Sequence, residues 1–387
     1  MGPSPLPRRR FLTLASSLAA GSAAAAFLAS CGLRSSTDPS PSLTATASPL
    51  PPVGGDLNLF VWRGYETPGG TAAWLRQQGI TEHVRYLTQP DEVPTVLQGP
   101  DGARWDMSYG DNVSLSYYRD LGLIRPITTD EVPGLTGLMP AFQTVPWKND
   151  DGTYNGVPWT WGFTGLTYRT DAVPAPGSWQ DILAPKFRGR VSTVDGALNN
   201  VEIACIAVGV DPDAMTLAQL HGPVRAWLMR LRRQIHTIAP SIADQVMQLT
   251  SGAVDYMVCG FTFLDRETAK AGVQTKTVVP SEGAIGWADT TFIPPTAPNP
   301  QNALAFANRL LDPRTNADAN GELLQGPTVT AAVPLLSPQA KALYPSDTID
   351  TFLEHRLTFN TGFPHEPDGD LATFDDVVQT WNEVKRA

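Results

Sequence analysis

Apolar and polar positions along this chain fall into two successive runs of strands and helices. Leu57-Asn58-Leu59-Phe60-Val61-Trp62 reads as a strand. Residues 71–78 predict a helix ended by Gly79, and His83-Val84-Arg85-Tyr86-Leu87 a second strand. Trp105-Asp106-Met107-Ser108-Tyr109 predicts a third, and residues 114–121 a helix stopped by Gly122. This β-α-β-α-β succession predicts an α/β lobe with a largely parallel sheet. Residues 156–169 (GVPWTWGFTGLTYR) read as a long strand with Trp159 and Trp161 on one side; shared burial and ligand contact are both open for that pair.

A second set follows. Residues 179–183 predict a short helix with Ser178 as its N-cap, 191–194 a strand, and 199–208 an apolar helix closed by Gly209. Residues 224–235 predict a longer amphipathic helix with a solvated arginine face. Residues 242–249 read as a helix, and 253–258, 274–279 and 287–293 as strands. Helices at 302–311 and 374–384 complete the pattern, and no repeat of 20–50 residues is present.

The N-terminal region follows neither period. Pro7-Arg8-Arg9-Arg10-Phe11-Leu12 precedes a mild Ala/Ser/Leu run and then Leu28-Ala29-Ser30-Cys31-Gly32. A positive segment, a short apolar stretch and small residues before a cut make a secretory signal. Arg8 and Arg9 begin an Arg-Arg-x-Phe-Leu core that resembles the twin-arginine export pattern, with the general secretory route as the alternative. Leu-Ala-Ser-Cys resembles a bacterial lipobox, in which the Cys31 thiol takes up a diacylglycerol and becomes the first residue. The alternative is an ordinary signal with an incidental Cys. From Gly32 to Gly55 the chain is rich in Ser, Thr and Pro and cannot bury a core. The expected division is a signal peptide over 1–30, then a lipidated Cys and disordered tether over 31–55. The expected location is the outer face of the cytoplasmic membrane, the periplasm or the cell envelope.

Composition sharpens this picture. Cleavage leaves 357 residues, a length that suits two cores. Losing three arginines takes the formal charge from −10 to −13, which argues against nucleic acid and anionic membrane surfaces as partners. No apolar run after Cys31 approaches the roughly 20 residues of a membrane span. With Cys31 lipidated, Cys205 and Cys259 remain and read as two separate buried thiols, a disulfide being the alternative. There is no G-x-S-x-G, no H-E-x-x-H and no phosphate-cradling Gly-rich loop. None of the five histidines has a partner at metal or triad spacing, and His365-Glu366 reads as a solvated loop. Tyr117-Tyr118 reads as packing rather than an iron-binding pair. Neither an enzyme nor a metal or cofactor is expected.

Five stretches carry a resemblance. They are Phe60-Val61-Trp62-Arg63-Gly64-Tyr65; Trp105-Asp106-Met107 through Gly122-Leu123-Ile124-Arg125-Pro126-Ile127; Gly156-Val157-Pro158-Trp159-Thr160-Trp161-Gly162; Ser178-Trp179 through Pro185-Lys186-Phe187-Arg188-Gly189; and Pro280-Ser281-Glu282-Gly283 through Trp287-Ala288-Asp289. In this order, over nearly all of residues 56–384, they resemble the spermidine/putrescine-binding proteins of bacterial ABC transporters, within the type II periplasmic binding fold. That resemblance implies an α/β architecture of two lobes joined by crossing strands, with a ligand cleft between them. The expected lobes are 56–163 plus 288–330 and 164–287 plus 331–387. It further implies a monomer that captures a polyamine or related small organic cation and delivers it to an ABC permease. The alternatives are a binding protein for another small polar solute, a lobe pair serving a sensor, or a secreted enzyme on an α/β scaffold.

Polyamine chemistry asks for carboxylates that pair each desolvated ammonium and aromatic walls for the methylenes between. Trp287 and Asp289 lie two apart on a predicted strand and so share a side. Trp62 and Tyr65 sit at a strand's C-terminal end, where open α/β sheets bind ligands. Packing roles for Trp62 and Tyr65, and a turn or cap role for Asp289, are the alternatives. Against the family pattern, Trp62, Tyr65, Trp287 and Asp289 keep the residue type, and Asp111 stands where a small hydroxyl residue is usual. Gly64, Gly196 and Asn199 replace acids, Cys259 replaces a tryptophan and Gln325 a tyrosine. Asp195 and Glu66 stand beside lost acids and are candidates to replace them. The expected ligand residues are therefore Trp62, Tyr65, Asp111, Trp287, Asp289 and Gln325, an incomplete cage that suits a short or singly anchored amine.

The lipobox reading makes one prediction. Cys31→Ser leaves no site for the thioether, so the protein is expected in the soluble fraction or mislocalised. Partition of the variant with membranes after a high-salt wash would contradict lipidation.

Overall fold

The computed structural model describes residues 53–88, 92–344 and 349–387. The expected signal peptide, Arg8, Arg9, Cys31 and the tether as far as residue 52 lie outside them. Strand β1 (Gly55–Val61) opens the fold and leads through α1 (Thr71–Gln78) to β2 (Ile80–Tyr86). Gly79 ends α1 as predicted, turning into the left-handed region at φ 68° and donating back to Arg76 and Leu75 carbonyls. Helix α2 (Glu92–Leu97), strand β3 (Met107–Asp111) and helix α3 (Leu115–Asp120) follow. Strand β1 pairs in parallel with both β2 and β3. Then comes β4 (Val157–Arg169), thirteen residues of which twelve are buried, as its near-continuous apolar run requires.

The second set repeats the scheme. It runs β5 (Val191–Val194), α4 (Ala197–Val208), α5 (Arg225–Arg232), β6 (Ile235–Ala239), α6 (Ile242–Thr250), β7 (Tyr256–Gly260), α7 (Thr262–Lys270) and β8 (Thr275–Val278). The chain returns along β9 (Ala284–Phe292) and closes with α8 (Pro300–Leu310), α9 (Pro313–Leu323), α10 (Pro338–Leu343), α11 (Ile349–Arg356) and α12 (Phe374–Arg386). Strand order is β2-β1-β3-β9-β4-β7-β5-β6, with β8 also on β4. The first lobe therefore reads β2-β1-β3-β9-β4 and the second β6-β5-β7-β4-β8. The order is the same in both, with one inserted antiparallel strand in each. Strand β4 serves both lobes: Val157 to Thr164 pair with β9, and Gly165 to Arg169 with β7 or β8.

Each lobe has its own core. Leu57, Phe60, Met107, Trp159 and Phe292 belong to the first, and Trp179, Val191, Ile203, Trp227 and Trp381 to the second. The segment holding Ala332, Tyr344 and Leu357 packs in the first core, and the change to the second comes between Leu357 and Phe363, later than the expected 330/331 boundary.

Local expectations differ from the structure in places. The predicted 224–235 helix stops at Arg232, and its end becomes β6, where Ile235 and Ala239 are buried and His236 and Thr237 exposed. Ser178 caps no α-helix: its hydroxyl bonds Glu282 and the Gln180 N–H, and only a 3-10 turn, Asp181–Leu183, follows. Cys205 and Cys259 are both free and buried, and burial pushes both thiols up to about 12. Tyr118 is buried, and Tyr117 stacks on His365 at 4.1 Å between ring centroids.

Fully buried Asn316 on α9 ties the crossing strand to its surroundings. Its amide donates to the carbonyls of Trp159 (2.7 Å) and Leu310 (3.1 Å), and its oxygen accepts from Thr328 and Val329 N–H groups. Asn320 also donates to the Trp159 carbonyl, but Asn316→Ala would remove the side-chain partner of the Thr328 and Val329 N–H groups, at about 1–3 kcal/mol each, so urea unfolding is expected to show a loss of about 2 kcal/mol or more. Exposed Asn382→Ala, as the control, should stay within about 0.5 kcal/mol.

Candidate functional site

The register of β3 against β9 sets Asp111 directly opposite Asp289. Opposed residues of an antiparallel pair share a face with Cβ atoms about 4.5–5.5 Å apart, and like charges there repel. Asp289 also lies opposite Thr160 of β4, so it sits on the strand that the two neighbours flank. It is 8% exposed, and Tyr65 and Tyr109 both donate their phenol O–H groups to it, Tyr109 at 3.0 Å. Burial pushes the Asp289 carboxyl up to about 7, with the nearby Asp111 charge adding to the rise and the two phenols opposing it. Asp111 is partly exposed, and burial of its carboxyl raises it against the pull of Ser114, whose N–H and O–H both donate to it. Both phenols are held well above their ordinary value, first by burial and then by Asp289, so they remain donors. Among the described residues no Lys, Arg or His forms an ion pair with either carboxylate.

Aromatic rings border these acids. Trp62, partly exposed, meets Tyr109 edge-on at 5.3 Å, and Tyr65 meets Trp159 edge-on at 4.7 Å. Gln325 lies beside Tyr65: its amide donates to the phenol oxygen at 3.4 Å, and its oxygen accepts from Thr160 at 2.7 Å. Trp287 stands opposite Gly162. A Cβ at position 162 would fall 2.2 Å from the indole, so only glycine leaves the ring its place. The Trp287 indole N–H is buried and has no hydrogen-bond partner. The structure thus joins Tyr65, Asp289 and Gln325 in one hydrogen-bonded group. Asp111 lies across from Asp289, Trp62 against Tyr109, and Trp287 two residues from Asp289.

Sequence reasoning missed Tyr109 and Glu202. Tyr109 is two residues from Asp111 on one strand face, a spacing that could have found it. Glu202 is 4% exposed and is the one acid of helix α4, whose later half is apolar, and a lone buried acid there is itself a signal. Burial pushes its carboxyl up to about 7, and Asp111 adds to the rise. Asn360 donates to it at 2.7 Å; Asn112, next to Asp111, donates to the Asn360 carbonyl at 2.7 Å and accepts from Ala288 N–H. The two expected substitutes are committed elsewhere. Asp195 pairs with Lys385 and accepts from the Trp381 indole; Glu66 accepts from the Tyr86 phenol and Gly64 N–H.

Other stretches that carried the resemblance are scaffold. Trp179 donates its indole N–H to the Gly283 carbonyl at 2.9 Å, and Ser281 N–H donates to Gly177, so the Ser-Trp and Pro-Ser-Glu-Gly runs pack on each other. Buried Asp106 accepts from the Asn58 and Asn299 backbone N–H groups and ties β1 to the entry of α8.

Two α/β lobes of one strand order that share crossing strands define the two-lobed periplasmic binding fold. The family model for bacterial extracellular solute-binding proteins matches residues 72–346, and the chain belongs to that family. It is 26% identical over 299 residues to the spermidine/putrescine-binding periplasmic protein of Escherichia coli K12, covering 75% of this chain and 83% of that one. It is 25% identical over 311 residues to the putrescine-binding periplasmic protein PotF of the same organism, again covering 75% and 83%. Among solved structures, the spermidine/putrescine ABC transporter substrate-binding protein PotD of Streptococcus pneumoniae superposes with a TM-score of 0.72 at 20% identity. The match covers 86% of this chain and all of that one. This likeness bears out the expected two-lobed α/β fold. Among the described residues no helix is long and apolar enough to cross a membrane.

The raised Asp289 carboxyl has a defined sign. Between about pH 4 and pH 7 the folded protein holds a proton that the unfolded chain has released, so this group lowers stability as pH rises and its cost levels off above pH 7. Without ligand, wild type is expected to lose stability relative to Asp289→Asn between pH 5 and 8, by on the order of a few kcal/mol. Denaturant unfolding at several pH values checks this; parallel curves for the two proteins would contradict it.

Proposed function

We propose that this chain is the lipid-anchored, extracytoplasmic capture protein of an ABC importer for a small organic cation of the polyamine class. One observation carries the reading: partly exposed Asp111 stands opposite buried Asp289, and neither has a cationic partner among the described residues. Two such carboxylates ionise together readily only when a positive charge joins them. Trp62, Tyr65 and Trp287 would supply aromatic walls with cation–π attraction, and Gln325 a polar contact through Tyr65. The names of the relatives, spermidine/putrescine-binding and putrescine-binding, support the ligand class. The protein performs no reaction in this reading. It acts as a monomer whose lobes close on the ligand and then present it to a permease. Cys31 would hold it to the membrane, with Arg8 and Arg9 directing export.

The missing acids at Gly64, Gly196 and Asn199 favour a short or singly anchored amine, because a longer polyamine would bury an ammonium without a partner. Thermal shift and calorimetry with spermidine, putrescine and monoamines at one salt concentration test this, since a ligand that binds only the folded state raises its midpoint. Putrescine or a monoamine is expected to bind more tightly than spermidine; tight spermidine binding with weak binding of the others overturns the length preference. Asp289→Ala is expected to cost about 2–5 kcal/mol of binding and less of folding. An affinity unchanged within about twofold would remove Asp289 from the site.

A further inference from the structure

Helix α4 carries a substitution of place. The resemblance calls for acids at 196 and 199, where this chain has Gly196 and Asn199. Residue 202 is three further along the helix, and positions i and i+3 lie on the same face. The acid that belongs to this face is thus present, one turn on. Glu202 is buried within the second lobe and forms no ion pair among the described residues, and after burial the charge of Asp111 in the first lobe adds to the rise of its carboxyl. Its orientation is fixed from across the junction: Asn360 donates to one oxygen, and Asn112 holds the Asn360 carbonyl. Asn112 is 1% exposed and Asn360 2%, so this bridge is itself dry. The acids are not alone in pointing to a ligand. The buried Trp287 N–H, two residues from Asp289 on the same strand, has no partner, and the rings of Trp62 and Tyr65 border the same acids.

We propose that Glu202 is the second-lobe anchor of the bound cation, so that a compact amine is held between it and the Asp111–Asp289 pair. This rests on the cation reading given above and adds to it a residue and a length. With one anchor in each lobe, both ends of a short diamine are paired, or one ammonium is shared. The spacing between the anchors sets the longest ligand the closed lobes accept. Asn360 and Asn112 are positioning residues: they make the Glu202 carboxylate available only where the lobes meet.

The probes are putrescine, spermidine and methylammonium, bound by calorimetry to the full chain at pH 7 in two buffers of different ionisation enthalpy. Wild type is expected to release protons on binding, because carboxyls that burial keeps partly protonated in the empty protein ionise when the cation enters. Glu202→Gln keeps the oxygen that Asn360 contacts and removes the charge. It is expected to weaken putrescine at least tenfold and release fewer protons, with an unliganded melting midpoint unchanged or raised. Glu202→Asp, which restores the charge, is expected to recover part of the affinity. Putrescine affinity within twofold of wild type in Glu202→Gln, or unchanged proton release, overturns the assignment of Glu202 alone. Wild type that binds none of the three amines overturns the cation reading and this inference with it.

Discussion

Strand β4 belongs to two sheets at once, and both lobes are built on that fact. Its first half pairs with β9 and its second with β7 and β8, so the two lobes share one run of buried backbone. A strand buried on both faces needs apolar or hydrogen-bonded residues throughout, and twelve of its thirteen positions are buried. Asn316 and Asn320 satisfy the Trp159 carbonyl where the ladder is irregular, between Pro158 and Thr160. Asp289 stands on β9 just opposite that irregularity. The acid at the heart of the site is therefore placed by sheet register rather than by a loop, a firmer support for binding geometry.

That placement has a cost the fold absorbs locally. Two carboxylates set opposite each other on a sheet face, with a third on α4 acting on one of them, oppose folding when ionised. Phenol O–H groups from Tyr65 and Tyr109 offset part of it at Asp289, and Ser114 does so at Asp111. The protein could have relieved the strain with one lysine or arginine, as it does at Asp255 with Arg190. At Asp111 and Asp289 no such partner is found among the described residues, and a violated local rule of this kind is the pattern expected of a functional site.

The fold was largely legible in the sequence. Gly79, Gly122 and Gly209 punctuated the helices, and strand β4 announced itself by length and apolarity. Strand β6 was not legible, because Ile235 continues the apolar period of the preceding helix and no Gly or Pro intervenes. At the site, Trp287 and Asp289 were readable from strand period alone. Their partners were not, because which strand lies opposite which is set by tertiary pairing. Asp111 came to notice only through the resemblance, and Tyr109 not at all. Glu202 escaped because its helix was read by what is common in it, apolar residues, and not by what is rare.

The phenols also bear on how the acids are held without a ligand. Tyr65 and Tyr109 keep their protons, since burial and the adjacent acid both oppose ionisation. Each offers Asp289 a neutral donor where a ligand ammonium would offer a charged one. A charged donor makes the stronger hydrogen bond, by roughly a factor of two. The exchange gains most where water is excluded, because the attraction between opposite charges rises as the effective dielectric falls. Burial that penalises the unpaired acids is therefore the same burial that strengthens their pairing with a cation. A cavity lined with exposed carboxylates would bind such a ligand weakly and fall away with salt. In the proposed cation reading, acids that form no ion pair with a lysine or arginine among the described residues trade stability in the empty protein for affinity in the filled one.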